Sequence, residues 1–186
     1  MCIRESYYDP GQESRLERWI AARKQLRPDQ EARAEALIRA IRQAGLSKYN
    51  LGNPPPDLPA GHRILVPGQV EDDASIRLGA GDINTNLALL ERVRAENPDA
   101  VILYKPHPDV EAGLRPGRVP AADLDRLADM VLTGTDPAAL LEQVDAVWTM
   151  TSLMGFEALL RGIPVTTTGA PFYAGWGLTR DLGRVP

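Results

Sequence analysis

A chain of 186 residues, 44% apolar and 25% charged, is long enough to bury one core and has the balance of a folded globular protein, not of a disordered segment. Its net charge of −4 provides no general basic field, so nucleic acid is not an expected partner and an anionic ligand must be met by a few local donors. The single cysteine, Cys2, excludes an intrachain disulfide and suits a reducing cytoplasm, and no apolar run approaches the length of a membrane-spanning helix.

The opening residues do not form a signal peptide, and both ends read as cuts through a larger protein. Ser14 to Lys24 and Pro28 to Ala44 predict two packing helices with solvated charged faces. The second places Ala34, Leu37, Ile38 and Ile41 on one stripe and closes at Gly45. The proline-rich stretch from Asn53 to Pro59 cannot continue a helix, so residues 1–58 are expected to form a helical segment with a stiff linker and residues 59–186 a separate domain.

Beyond the linker the pattern alternates. Arg63 to Pro67 predicts a buried strand, Asn86 to Glu96 a helix with Leu87, Leu90 and Val93 inward, and Ala100 to Tyr104 a second strand. A helix over Ala121 to Ala128 and a strand over Met130 to Leu132 follow. Asp136 and Pro137 supply the cap and first-turn proline of a helix reaching Val144. Ala146 to Thr149 is the next strand, Ser152 to Arg161 a helix closed by Gly162, and Pro164 to Thr167 the last strand. Such alternation predicts an α/β fold, a parallel sheet with helices on both faces, whose ligands lie beyond the carboxyl ends of the strands.

Polar clusters fall at those ends. Lys105-Pro106-His107-Pro108 is a rigid turn able to hold two cationic groups against a phosphate, and His107 is one of only two histidines, the other being His62. Met150-Thr151-Ser152 stands where a strand gives way to a helix, offering hydroxyls and backbone N–H groups to an anion, although the same residues suit a plain helix cap. Glu157 on that helix could pair with Arg161 four positions on. Gln69-Val70-Glu71-Asp72-Asp73 is an acidic cluster suited to a nucleophile, a general base, a solvated loop or, least of all, a divalent metal. Thr168-Gly169 follows the last strand.

Four segments carry a family resemblance: Val66 to Ile76, Tyr104 to Asp109, Met150 to Leu160, and Pro171 to Gly177, with Leu46 to Asn50 in support. Together they resemble the capsule polysaccharide β-Kdo transferases, retaining glycosyltransferases that begin the Kdo linker on a lysophosphatidylglycerol anchor. The resemblance implies a Rossmann-like domain, one half of a GT-B-like glycosyltransferase, preceded by the two helices. It implies CMP-Kdo as donor, a lipid-linked Kdo acceptor, other capsule assembly proteins as partners, and no cofactor or metal. A cytoplasmic location, peripheral at the inner membrane, would suit such a protein.

By the same resemblance Gln69 and Asp73 form the Gln-x-x-x-Asp element that supplies the nucleophile, with Asp72 as the alternative. His107 and Pro108, with Thr151 and Ser152, hold the CMP phosphate, helped by Lys105. Glu157 stands where many two-Rossmann glycosyltransferases hold a nucleotide ribose, and His107 is a further candidate proton donor. The family's proteins are much longer, so this chain by itself is expected to bind CMP weakly without transfer. Two other readings stay open: a CDP-polyol phosphotransferase, which shares a Lys-x-His-Pro turn, and a non-catalytic CMP-binding module.

Overall fold

Four short apolar strands form the body of one parallel sheet because they are buried on both faces, as their near-continuous burial records. The computed structural model describes residues 9–23, 25–48 and 53–183. The strands are β1 (Arg63–Pro67), β2 (Val101–Lys105), β3 (Met130–Val131), β4 (Ala146–Thr149), β5 (Val165–Thr167) and β6 (Arg180–Asp181), in the order β3-β2-β1-β4-β5-β6. All five pairings are parallel. From β1 the chain winds outward to β3, returns to place β4 on the other side of β1, and winds outward again. The order therefore reverses between β1 and β4, where ligands of open α/β sheets bind.

Alternate residues of each strand face opposite layers. Ile64, Val66, Ile102, Tyr104 and Trp148 pack with Ile76, Leu90, Val93 and Leu127 from α3 (Ala74–Gly79), α4 (Asn86–Glu96) and α6 (Ala121–Leu127). Leu65, Leu103, Val147 and Val165 pack on the other face with Leu140, Leu141 and Ala158 from α7 (Pro137–Leu141) and α8 (Leu153–Leu159). The expected two-faced α/β sheet is thus present. On α4 the buried apolar set is Leu89, Leu90 and Val93, and Leu87 lies only partly buried.

Three elements were not anticipated: α3, the four-residue α5 (Pro108–Glu111) and β6. Each is too short to show a hydrophobic period, and β6 is a polar Arg-Asp pair on the sheet edge. The two short helices begin at Asp73 and His107, whose side chains accept the N–H groups of Ser75 and Asp109. Both residues singled out for chemistry are therefore also helix caps. Helices α7 and α8 end earlier than expected, at Leu141 and Leu159.

At the amino end α1 (Arg15–Ala21) is closed by a capping box: the Ser14 hydroxyl accepts from Glu17 N at 3.1 Å, and the Glu17 carboxylate accepts from Ser14 N at 2.6 Å. The following helix, α2 (Pro28–Gln43), buries none of its residues. The expected packing stripe is overturned here: Leu37 is 60% exposed, and Ile38 and Ile41 are only half-buried. A proline first turn, a Glu35–Arg39 pair and the grip of Arg161 on the Leu46 carbonyl support α2 in place of a core. The linker is fastened at both ends, Asn53 pairing with the Gly134 and Asp136 backbone and Arg63 donating to the Leu58 and Pro59 carbonyls. Cys2, Tyr7, Tyr8, Lys24, Tyr49, Asn50 and the final Arg184-Val185-Pro186 lie outside the described residues. Among those described, no helix is long and apolar enough to cross a membrane.

Leu65 is fully buried at the centre of β1, paired with Leu103 on one side and Val147 on the other. Leu65→Ala is expected to lower unfolding free energy by about 2–5 kcal/mol, read from a urea titration followed by circular dichroism.

Candidate functional site

The loops leaving β1 and β4 meet where the strand order reverses, and one buried side chain joins them. The Gln69 Oε1 accepts from the Thr151 backbone N–H at 3.0 Å and from the Thr149 hydroxyl at 3.1 Å, while its Nε2 donates to the Thr151 hydroxyl at 2.9 Å. Gln69 is in turn held by Asn86, whose side chain accepts from Gln69 N and donates to the carbonyls of Gln69 and Gly117, each at 2.8 Å. Asn86 is fully buried, yet its place at the start of an apolar helix gave no sign of this duty. The family reading put Gln69 beside the chemistry; the geometry makes it the strut that sets the distance between the two loops.

On the far side of that strut, the Thr149 hydroxyl accepts from Ser152 N at 3.1 Å, and the Ser152 hydroxyl caps α8 by accepting from Met154 N at 3.2 Å. Gly155 lets Tyr173 pack against this turn: a Cβ there would stand 2.2 Å from the tyrosine hydroxyl, which donates to the Ser152 carbonyl. Thr151 and Ser152 thus reach the ligand space from a turn fixed on three sides.

Two adjoining clefts open there and share His107, Pro137, Ser152 and Met154 as a common wall. The larger, of about 360 Å³, brings together Gln69, Asp73, His107, Thr151, Ser152 and Glu157. The smaller, of about 300 Å³, takes in Lys105, Pro108, Pro67, Gly68 and Pro106. Asp73, Gln69, His107, Lys105, Pro108, Thr151, Ser152 and Glu157 therefore gather at the reversal of strand order, but in two compartments, while Asp72 and Thr168 line neither. His62 sits apart, at the amino end of β1 beside Asp145.

The expected pair of cations takes a different form. His107 Nδ1 accepts from Asp109 N at 3.2 Å, which leaves the proton of the neutral ring on Nε2. Burial pushes the imidazole below its ordinary value; Asp109 and Asp73 oppose this, while Lys48 and Lys105 add to it. The neutral ring that burial favours is a hydrogen-bond donor through Nε2. Lys105 is only 5% exposed, and burial lowers its ammonium as well, against the pull of Glu111 and Asp136.

The acidic cluster does not converge on one point. Glu71 Oε1 accepts from Asn86 N at 2.8 Å, and Asp72 pairs with Arg115 at 2.6 Å. Asp73 lines the larger cleft. Its Oδ1 accepts from Ser75 N at 2.9 Å and from the Ser75 hydroxyl at 2.8 Å, while Oδ2 has no bond among the described residues. Partial burial works to raise this carboxyl, but the Ser75 bonds and the charges of Arg115 and Lys48 outweigh it and hold it below the usual range.

Glu157 likewise departs from expectation. Its carboxylate accepts from Lys48 N at 2.6 Å, whereas the Arg161 side chain reaches the Glu142 carboxylate and the Glu157 and Leu46 carbonyls. Burial raises the Glu157 carboxyl, against that hydrogen bond and the charges of Arg161 and Lys48.

Residues 58–185 match the family described as capsule polysaccharide biosynthesis protein. The chain belongs to that family. It is 46% identical over 182 residues to the capsule polysaccharide modification protein LipA of Neisseria meningitidis serogroup B, covering 97% of this chain and 26% of that protein. It is 42% identical over 191 residues to the lipopolysaccharide-processing protein LpsZ of Rhizobium meliloti, covering 97% of this chain and 42% of that one.

Among solved structures, the β-Kdo 2,4 transferase KpsC of Thermosulfurimonas dismutans superimposes with a TM-score of 0.85 at 37% identity, over 96% of this chain and 57% of that chain. The β-Kdo 2,7 transferase KpsC from the same organism gives 0.78 at 41% identity, over 95% and 53%. The resemblance seen in the sequence motifs is borne out, and this capsule-family chain spans less than half of the curated relatives and little more than half of the solved ones.

Gln69→Leu keeps much of the side-chain volume but leaves the buried Thr151 N–H and the Thr149 hydroxyl without their acceptor. The expected loss is about 2–4 kcal/mol of unfolding free energy, measured by denaturant titration.

Proposed function

We propose that this chain is the donor-binding domain of a β-Kdo transferase, holding CMP-Kdo for transfer to a lipid-linked acceptor in capsule polysaccharide synthesis. The observation that carries this reading is the presence of Asp73, His107, Thr151 and Ser152 around one cleft at the reversal of strand order. The cytidine occupies the smaller cleft lined by Pro67, Pro106 and Lys105, and the sugar extends into the larger cleft toward Asp73. The phosphate then crosses the shared wall. Support for that division comes from the hydroxyls of Thr151 and Ser152 and the Nε2–H of His107, which are donors suited to an anionic oxygen.

In the first step Asp73 Oδ2 attacks the anomeric carbon as its bond to the phosphate oxygen breaks, and the electron pair leaves with CMP. His107 and Ser152 donate hydrogen bonds to the departing phosphate, where negative charge grows. In the second step the acceptor hydroxyl oxygen bonds to the anomeric carbon as its bond to Asp73 Oδ2 breaks, the hydroxyl proton passes to the freed Asp73 carboxylate and on to water, and two inversions give net retention. Ser75 holds Oδ1, keeping the carboxylate ionised and Oδ2 presented. This role requires no metal. Acceptor contacts belong to parts of the longer relatives that this chain does not match, and a peripheral position at the inner membrane fits a lipid-linked acceptor.

Asp73→Asn preserves a helix-capping side chain but removes the nucleophile. Intact-mass spectrometry after mixing with CMP-Kdo is expected to show a Kdo adduct on Asp73 in the parent and none in the variant, whose CMP affinity stays within about twofold. Equal loss of CMP affinity and adduct in Asp73→Asn would remove Asp73 from this role. By contrast, His107→Ala and Ser152→Ala should each weaken CMP binding by about 1–3 kcal/mol in calorimetry, and unchanged affinity in both would reduce them to helix caps.

A further inference from the structure

Arg115 lines the larger cleft, yet no motif drew attention to it. Its loop is fixed on every side. The N–H groups of Leu114 and Arg115 return to the Asp109 carbonyl, Glu71 N donates to the Pro116 carbonyl, and Asn86 holds the Gly117 carbonyl. Gly117 adopts φ +130° and approaches so closely that a Cβ would stand 2.7 Å from the Gln69 carbonyl oxygen. The guanidinium is thus presented by the same Asn86-centred junction that anchors the Gln69 strut.

Its bonding is one-sided. Nε at 3.2 Å and Nη2 at 2.6 Å both converge on Asp72 Oδ1, while Nη1 makes no bond among the described residues. Asp72 therefore orients the planar fork without occupying all of it.

The charge balance around the cleft gives this fork a task. Asp73, Asp109 and Glu157 face the space against Lys48 and Arg115, with burial favouring the neutral ring of His107. Kdo carries its carboxylate on the anomeric carbon itself, so the atom that Asp73 must attack bears a negative group. Two carboxylates brought together in a partly desolvated cleft repel unless a cation lies beside them. Arg115 and Asp73 line the same cleft, and the guanidinium charge helps hold the Asp73 carboxyl below its usual range.

We propose that Arg115 recognises the carboxylate of the donor sugar and so permits an anionic reacting carbon to approach an anionic nucleophile, with Asp72 as its positioning residue; this rests on the donor reading given above. Arginine suits the task because its planar donors match a carboxylate, and they are already oriented before the ligand arrives.

The test compares three ligands by calorimetry on the chain carrying Asp73→Asn, which cannot form the adduct and serves as the parent here, and on the same chain with Arg115→Gln added: CMP, freshly prepared CMP-Kdo, and the analogue in which the sugar carboxylate is reduced to an alcohol. The parent is expected to prefer CMP-Kdo over the alcohol analogue by roughly tenfold or more, as for a charge-assisted hydrogen bond. In Arg115→Gln that preference should shrink to within about twofold while CMP affinity stays unchanged. Arg115→Lys, which keeps the charge and loses the fork, should fall between them.

A preference retained in Arg115→Gln, or absent from the parent, would overturn the assignment and reduce Arg115–Asp72 to a surface ion pair. A parallel loss of CMP affinity would also overturn it, as it would mean that Arg115 shapes the nucleotide site. Failure of the parent to bind CMP at all would instead sink the donor reading, and this inference with it.

Discussion

Where strand order reverses, the loops leaving the paired strands β1 and β4 diverge beyond the carboxyl edge of the sheet, and the buried amide of Gln69 bridges them. An amide presents an acceptor and a donor within one small planar group, so it can take the Thr151 N–H and the Thr149 hydroxyl on one side and bond the Thr151 hydroxyl on the other. Water does not compete at that depth, and losing one partner leaves others buried and unsatisfied. The spacing of the two loops, and with it the position of Thr151 and Ser152 relative to Asp73, follows from this contact. Asn86 extends the constraint to a third loop and brings Arg115 under it.

With that frame set, the site handles an anion through local arrangement, in a chain whose net charge is negative. Burial pushes the His107 imidazole below its ordinary value and favours the neutral ring, and the Asp109 N–H on Nδ1 leaves Nε2 as the donor. Two bonds from Ser75 keep Asp73 ionised even though burial alone would raise it. Lys105 and His107 are two residues apart yet do different work, because the lysine ends a strand and opens into the smaller cleft while the histidine starts a helix on the wall between the two. The two proline neighbours of His107 hold that change of direction in place.

Caps are recurrent in this fold, and they explain why chemistry and structure fall on the same residues. Asp73, His107 and Ser152 each begin a short helix at the carboxyl end of a strand. A cap must face the end of its helix, and at this edge of the sheet the end of a helix is also where a ligand lies. A substitution there touches packing and binding together. Asp73→Asn separates the two because asparagine caps nearly as well as aspartate.

The alternation of apolar runs and amphipathic segments determined the parallel sheet and its strands before any tertiary contact was known, since period and strand burial are local properties of the chain. The positions of Lys105 at a strand end and of His107, Thr151 and Ser152 just beyond strand ends were legible for the same reason. Tertiary structure alone decided that the α2 stripe of Leu37, Ile38 and Ile41 would not be buried, because amphipathicity records a capacity to pack and not the presence of a surface to pack on. It also decided the partners of the carboxylates: Glu71 to Asn86, Asp72 to Arg115, Asp73 to Ser75, and Glu157 to the Lys48 backbone. Spacing could not reveal most of these pairings, since they join residues as many as 109 positions apart. Such contacts exist only once the sheet has brought its loops to one edge.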